Sequence, residues 1–441
     1  MKIRIKRGLD VPFAGEPKGA PTPLTKPKQV ALNLDPFDTV RFKLHVKLGD
    51  KVKIGQPLAE NKAVPGQMFL SPAGGVIKEF RRGLKRRLLD IVIDVAENEE
   101  EMVHERPVDS KEALLDFFLR AGIFPHIRLR PFDLIADPKH LPEAIFVRAV
   151  ESRPFVPSAK LQLEGKESYF QKGLEVLGKI APVHVVYKEG APFAKAQGVE
   201  HHHIEGPHPA GNSSVHIHHI MPILKASHYR WCVDVQGVIT IGKMMLEGTY
   251  YVERILSLGG NGVENPSFYR GRMGIPIKML LKEQTKEQLL AFISGDPLTG
   301  TKVDPEEFLG FFHTTVSVLP VNVKREMFHF WRLGLKKYTA TRTYWSGFFK
   351  KKSYPFTTNQ HGEERAFIDG KIYDKVMPMR IPTMQLVKAL LAQDYELADI
   401  LGVFEVAPED FILPTFICPS KIEMVDMVKQ GLHLYSKELG H

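Results

Sequence analysis

Between residues 40 and 96 the apolar positions come in short runs broken by glycine and proline, the punctuation of a β-rich unit. The segment Val46 to Leu58 places Gly49 and Gly55 at turns, with apolar residues alternating between them. Ser71-Pro-Ala-Gly-Gly-Val76 opens a further strand, and the apolar run Leu88 to Val95 closes the set. The acidic tract Glu97 to Glu101 reads as a linker. From Ser110 the period changes: Glu112 to Leu119 is amphipathic and helical, with Ser110 placed as its N-cap. An apolar strand over Ala144 to Val150, a helix over Glu167 to Gly178 and a strand over Val183 to Tyr187 follow, an alternation that implies an α/β layer. Leu258 to Gly274 reads as glycine-rich turns leading to a helix over Lys286 to Phe292, a small α+β unit, and Thr314 to Val323 is strand-like. The end of the chain predicts helices at Thr383 to Ala392, Tyr395 to Leu401 and Lys421 to Tyr435, with a short turn from Pro408.

A chain of 441 residues allows roughly three domains at about 150 residues each. No run of about 18 apolar residues occurs, so no bilayer-spanning helix is expected. Met1-Lys-Ile-Arg-Ile-Lys-Arg7 alternates basic and apolar positions without a following apolar stretch, so it does not read as a signal peptide. Only two cysteines, Cys232 and Cys418, are present. They cannot supply the four thiolates of an all-cysteine zinc site or an iron–sulfur cluster, and their scarcity fits a reducing, cytoplasmic setting. The net charge of +9 comes from 60 Lys+Arg against 51 Asp+Glu, and the excess is N-terminal. Its densest part is Lys78, Arg81, Arg82, Lys85, Arg86 and Arg87. That run is either a solvated hairpin or a docking face for an acidic partner or anionic lipid; nucleic acid is disfavoured because no recognisable reading motif accompanies it. A second basic knot, Trp345 to Phe356, interleaves lysines with aromatics, as a membrane interface or an RNA surface would.

Self-contained catalytic chemistry is not visible. Gly237-Val-Ile-Thr-Ile-Gly-Lys-Met244 has P-loop spacing but ends in Met where magnesium needs Ser or Thr, and its β-branched run reads as a strand. Gly260-Asn-Gly262 is followed by Asn265 where a dinucleotide-binding turn needs its third glycine. The loudest local signal is histidine, with eight of the 18 lying between His201 and His228. His216-Ile-His-His-Ile220 alternates like a strand, which would put His216 and His218 on one face and His219 on the other. That geometry argues for hydrogen-bonding roles or ligand contact, and no metal site is expected.

Two resemblances follow from quoted motifs. Gly49-Asp-x-Val-x-x-Gly-Gln-x-Leu58 with Ser71-Pro-x-x-Gly-Val76 resembles the hairpins of biotinyl and lipoyl domains. Their modified lysine has no counterpart at the tip: Lys62 lies too early and Pro65 stands near it, so the likeness implies fold without a swinging arm. Along the whole chain, Lys6-Arg-Gly-Leu-Asp10, Arg130-Pro-Phe-Asp133 with Ile145-Phe-Val147, and Gly206-Pro-His-Pro-Ala-Gly211 with His216-Ile-His218 occur in order, followed by Ile241-Gly-Lys243, Met377-Pro-Met379 and Phe416-Ile-Cys-Pro-Ser-Lys421. This series resembles the NqrA family of the Na+-translocating NADH:quinone oxidoreductases, which is related to the RnfC component of Rnf complexes. Asn212-Ser-Ser214 departs from it where a bulkier apolar residue and a glycine are expected.

The resemblance implies a multidomain α+β fold: a barrel-sandwich hybrid domain over 1–100, a Rossmann-like α/β domain over 101–252, an SLBB (β-grasp-like) domain with following strands over 253–340, and a C-terminal helical region over 341–441. It implies a peripheral subunit on the cytoplasmic face of the bacterial inner membrane, docked on five partner subunits and above all on the membrane-embedded NqrB. No cofactor is expected on this chain; FMN, FAD, riboflavin, the iron–sulfur clusters and the NADH site would belong to the others. Quinone contact is expected at His208, Gly211 and His216, where a turn-rich loop carries imidazole donors. The alternatives are a pure assembly scaffold and an RnfC-like protein without clusters.

Overall fold

A computed structural model describes residues 1–440 apart from 108–109, 282–283, 287, 323–330 and 350–352. The turn-broken segment folds as two small packed sheets. Strands Gln29–Asn33, Leu88–Val95, Gly75–Arg82 and Lys51–Val52 form one, in that spatial order and antiparallel; Phe42–Leu44, Pro57–Asn61 and Met68–Leu70 form the other. Inward-facing Val30, Leu32, Leu58, Phe69, Ile77, Ile91 and Ile93 fill the space between them. The chain reverses at Gly49 and Gly55 with φ of +85° and +79°, a backbone that glycine adopts without steric cost.

The first residues do not join this sandwich. Lys2–Arg4 adds a parallel strand beside Glu200–Glu205, and Lys18–Pro23 pairs with Ser267–Arg272 in another sheet. The alternation of basic and apolar positions thus has a structural meaning: Ile3 and Ile5 are buried while Lys2, Arg4 and Lys6 face water.

The α/β unit is a seven-stranded sheet. Lys2–Arg4, Glu200–Glu205, Val183–Tyr187, Ala144–Ala149 and Arg230–Asp234 run parallel in that order, and the antiparallel pair Arg128–Arg130 and Leu134–Ile135 closes one edge. Helices Glu167–Gly178 and Val235–Glu247 pack on one face; helix Ser213–Ile220 and the C-terminal helices cover the other. A six-stranded sheet follows, in the order Thr301–Val303, Leu290–Ser294, Thr315–Pro320, Glu253–Gly259, Ser267–Arg272, Lys18–Pro23. Helices Thr383–Ala392, Tyr395–Ile400, Ile412–Ile417 and Met424–Glu438 end the chain. No helix among the described residues is long and apolar enough to cross a membrane.

Four local expectations are corrected. His216 to Ile220 lies in a helix, because the chain must return from Glu200–Glu205 to the parallel strand Arg230–Asp234, and a parallel crossover needs a helix. Gly237 to Lys243 is likewise helical: Asp234 Oδ1 caps it through Gly237 N–H at 2.8 Å, and Gly248 ends it at φ +76°. Most of that helix is buried, so its apolar positions run almost all round and hide the helical period. The helix expected over Lys286 to Phe292 is absent: the described part of that span ends in the strand Leu290–Ser294, held antiparallel to Thr315–Pro320. Within the span read as turns, Leu258 to Gly274, only 260–266 is a loop; Ser267–Arg272 is a strand antiparallel to Glu253–Gly259. Part of the Trp345–Phe356 knot, Lys350 to Lys352, lies outside the described residues.

Candidate functional site

The loop Gly206 to Asn212 leaves the carboxyl end of Glu200–Glu205 and meets the loop that follows Ala144–Ala149. His208, only 2% exposed, sets its Nδ1 2.9 Å from Ser152 Oγ, and its backbone N–H donates to Asp10 Oδ1 at 2.8 Å. Gly211 N–H donates to the same Ser152 Oγ at 2.9 Å. A Cβ on Gly211 would stand 2.7 Å from that oxygen, so the close approach requires glycine. His216 is fully buried on the next helix; its Nε2 donates to Ala210 O at 2.9 Å, and burial drives its pKa down to about 3. The three expected residues are therefore neighbours, but they face the protein interior.

Around them runs a buried polar seam whose members the motif reading did not connect. Asn212 Nδ2 donates to Asp410 Oδ1 at 2.9 Å, and Asp410 also accepts from Ala407 N–H at 2.8 Å. Burial, with Glu409 beside it, lifts the Asp410 carboxyl to about 6. Arg130, 1% exposed, donates to Ser214 Oγ at 2.9 Å and to Glu405 O at 2.8 Å. His218 Nδ1 lies 2.8 Å from Glu405 Oε2. These bonds tie the carboxyl edge of the parallel sheet to the C-terminal helices. Much of the histidine cluster is dispersed in this way, whereas His202 meets an imidazole from another strand, His184.

In a doubly wound sheet the crevice for ligands opens where the strand order reverses, here between Ala144–Ala149 and Arg230–Asp234. Glu151 and Arg153 fill it as an ion pair at 2.6 Å, with Phe312 and Thr314 against them, leaving a cavity of about 20 Å³. Burial opposes the Glu151 charge, yet Arg153 outweighs it and holds the carboxylate down at about 2. About one water fits there.

A larger cavity of about 640 Å³ lies elsewhere, walled by all three N-terminal units. Leu161, Ile255 and Met279 give it apolar surface; Lys166, Arg254 and Arg270 give it positive charge. Tyr251 stands between two cations, with Lys166 Nζ and Arg254 Cζ each 5.4 Å from its ring centroid. Burial pushes its phenol up to about 12, so it keeps its proton at neutral pH and can donate. None of His208, Gly211 and His216 is on this wall. Residues 24 to 279 contribute to it from five separate segments, which is why no local pattern announces it.

The architecture is that of a barrel-sandwich unit joined to a parallel α/β unit, and models of those two domains match here. The NqrA N-terminal barrel-sandwich hybrid domain matches residues 3–96, and the NqrA second alpha/beta domain matches residues 109–250. The NqrA subunit of the Na(+)-translocating NADH-quinone reductase from Chlamydia caviae is 40% identical, covering 100% of this chain and 98% of its own length. Its counterpart in Vibrio atlanticus is 34% identical over 99% of this chain and 100% of its own. A solved NAD+-reducing [NiFe]-hydrogenase in the air-oxidized state aligns over 48% of this chain and 47% of its own, at 15% identity and a TM-score of 0.36. The chain belongs to the NqrA family of Na+-translocating NADH-quinone reductases.

Proposed function

We propose that this chain works as a peripheral, non-redox subunit of a sodium-pumping NADH-quinone reductase, on the cytoplasmic face of the membrane and against the membrane-embedded NqrB. Family membership carries the assignment to the complex. The filled switch-point crevice supports the non-redox part, since it leaves no room there for a flavin or dinucleotide. Flavins, iron–sulfur clusters and the NADH site then belong to the partner subunits. The six-stranded sheet around Glu253 to Gly300 serves as the SLBB-like unit of this reading.

The quinone would approach the cavity of about 640 Å³. Its apolar wall suits a quinone ring and the first part of a tail, while the Tyr251 phenol can donate to a carbonyl oxygen. Arg254 then favours negative charge building on that oxygen as the ring is reduced, while Lys166 is already paired with Glu253 at 2.7 Å. In this reading His208, Gly211 and His216 belong to the buried polar seam and do not touch quinone.

The test is a photoreactive quinone applied to the intact complex, with labelled peptides mapped by mass spectrometry. Labels on Leu161 to Lys166 or Tyr251 to Ile255, reduced several-fold in Tyr251→Phe, are expected. Labels confined to partner subunits would leave the scaffold role, the reading that the tightly filled interior also favours.

A further inference from the structure

His184 and Glu200 sit opposite each other in the register of two neighbouring parallel strands, and His202 follows two residues after Glu200 on the same side of the sheet. His184 Nδ1 lies 3.0 Å from His202 Nε2 and 3.4 Å from Glu200 Oε2; His202 Nε2 lies 3.9 Å from the same oxygen. We propose that these three donors form a binding site for a borderline divalent transition metal, with Zn²⁺ the stereochemical match.

The separations carry the argument. A triangle with those sides has a circumradius of about 2.0 Å, so an ion near its centre stands a normal zinc–nitrogen or zinc–oxygen bond length from every donor. A small closure of the 3.9 Å edge lifts the ion out of the plane toward tetrahedral geometry. Two imidazoles and one carboxylate suit zinc, copper or nickel and not the all-oxygen shells of magnesium or calcium. The imidazoles are 7% and 5% exposed, whereas the Glu200 side chain is 65% exposed, which leaves an approach from solvent and a free coordination position.

Without the ion, the facing nitrogens share one proton. On binding, that proton moves to the other nitrogen of its own ring, so two neutral imidazoles and one anionic carboxylate hold the cation. His202 Nδ1 is buried without a partner, and a ligand imidazole usually donates its second N–H. The affinity should therefore be micromolar and not that of a structural zinc finger. The site lies at the amino ends of the strands, beside the Met1 amine that donates to His201 O at 3.0 Å, and opposite the carboxyl-end crevice. Its role would be a cross-strand staple.

The full chain, stripped with EDTA, is titrated with ZnCl2 by calorimetry and with CoCl2 by visible absorption. One equivalent of Zn²⁺, a raised melting temperature and d–d bands of low-coordinate Co²⁺ are expected. His184→Gln, His202→Asn and Glu200→Gln should each weaken binding about tenfold or more, while His203→Gln leaves it unchanged. Absence of Zn²⁺ heat and Co²⁺ bands in the wild type would overturn the site. So would wild-type affinity in the His184→Gln/His202→Asn double variant, which would assign the binding to other histidines. Should the histidine variants melt early in EDTA, Glu200→Gln decides, because its side chain is largely exposed and its loss opens no cavity.

Discussion

A buried imidazole with a single backbone partner is a titration trap. His216 is held neutral because burial penalises its charge more than the bond to Ala210 O favours it, and its pKa falls to about 3. The unfolded chain takes up that proton near pH 6.5, so stability is complete at neutral pH and is lost as the pH falls below 6.5. His216 alone should remove about 2 kcal/mol between pH 7.5 and 5. His126 at about 3 and His313 at about 4, both pushed down first by burial, act with the same sign. In His216→Gln the amide can still donate to Ala210 O, and urea unfolding at the two pH values should show a fall smaller by that amount. An unchanged pH dependence would mean that His216 is not buried neutral. The abundance of histidine in this stretch is legible in the sequence; its partners are not. Ser152, His184 and Asp410 come from other elements, and only the sheet register and the docking of the C-terminal helices bring them near.

At the scale of elements, the regular segments are legible where a helix has one face buried and the other wet, or where a short apolar run marks a wholly buried strand. Glu167–Gly178 and Val183–Tyr187 fall where their patterns put them, and Ser110 accepts from Ala113 N–H as the expected N-cap. The readings fail where a helix is buried nearly all round, as in Val235–Glu247, or where a crossover dictates a helix, as in Ser213–Ile220. The packing of the first of these on Glu167–Gly178 is unusually close. A Cβ on Gly242 would stand 1.7 Å from Tyr169 O, and one on Gly173 would stand 2.2 Å from Val238 O. Gly242→Ala should therefore destabilise by about 2 kcal/mol despite the better helix propensity of alanine, since backbone on both sides must give way. Gly178→Ala, whose Cβ would meet nothing within 4 Å, should be neutral or stabilising by up to about 1 kcal/mol. Thermal or urea unfolding of the two variants checks the sign of each; equal effects would show that the helices can separate without cost.

Across the whole molecule the charge excess is densest in one hairpin, which holds two kinds of basic residue. Arg81 packs over the Phe308 ring at 4.9 Å and Arg87 pairs with Asp35, so both belong to the internal architecture. Arg81→Glu should loosen the contact between the barrel sandwich and the six-stranded sheet by about 1 kcal/mol. Lys85 and Arg86 at the turn are exposed, and Leu84 beside them is 92% exposed. The exposed cations at this turn favour an acidic partner, against which Leu84 would add apolar contact. The double variant Lys85→Glu/Arg86→Glu should melt like the wild type yet recover several-fold less of the partner subunits when the complex is purified at low salt. The difference should shrink above about 0.5 M salt, where exposed charges are screened within a few ångströms. Equal recovery at low salt would make the hairpin a solvated tip and move the docking face elsewhere on the chain.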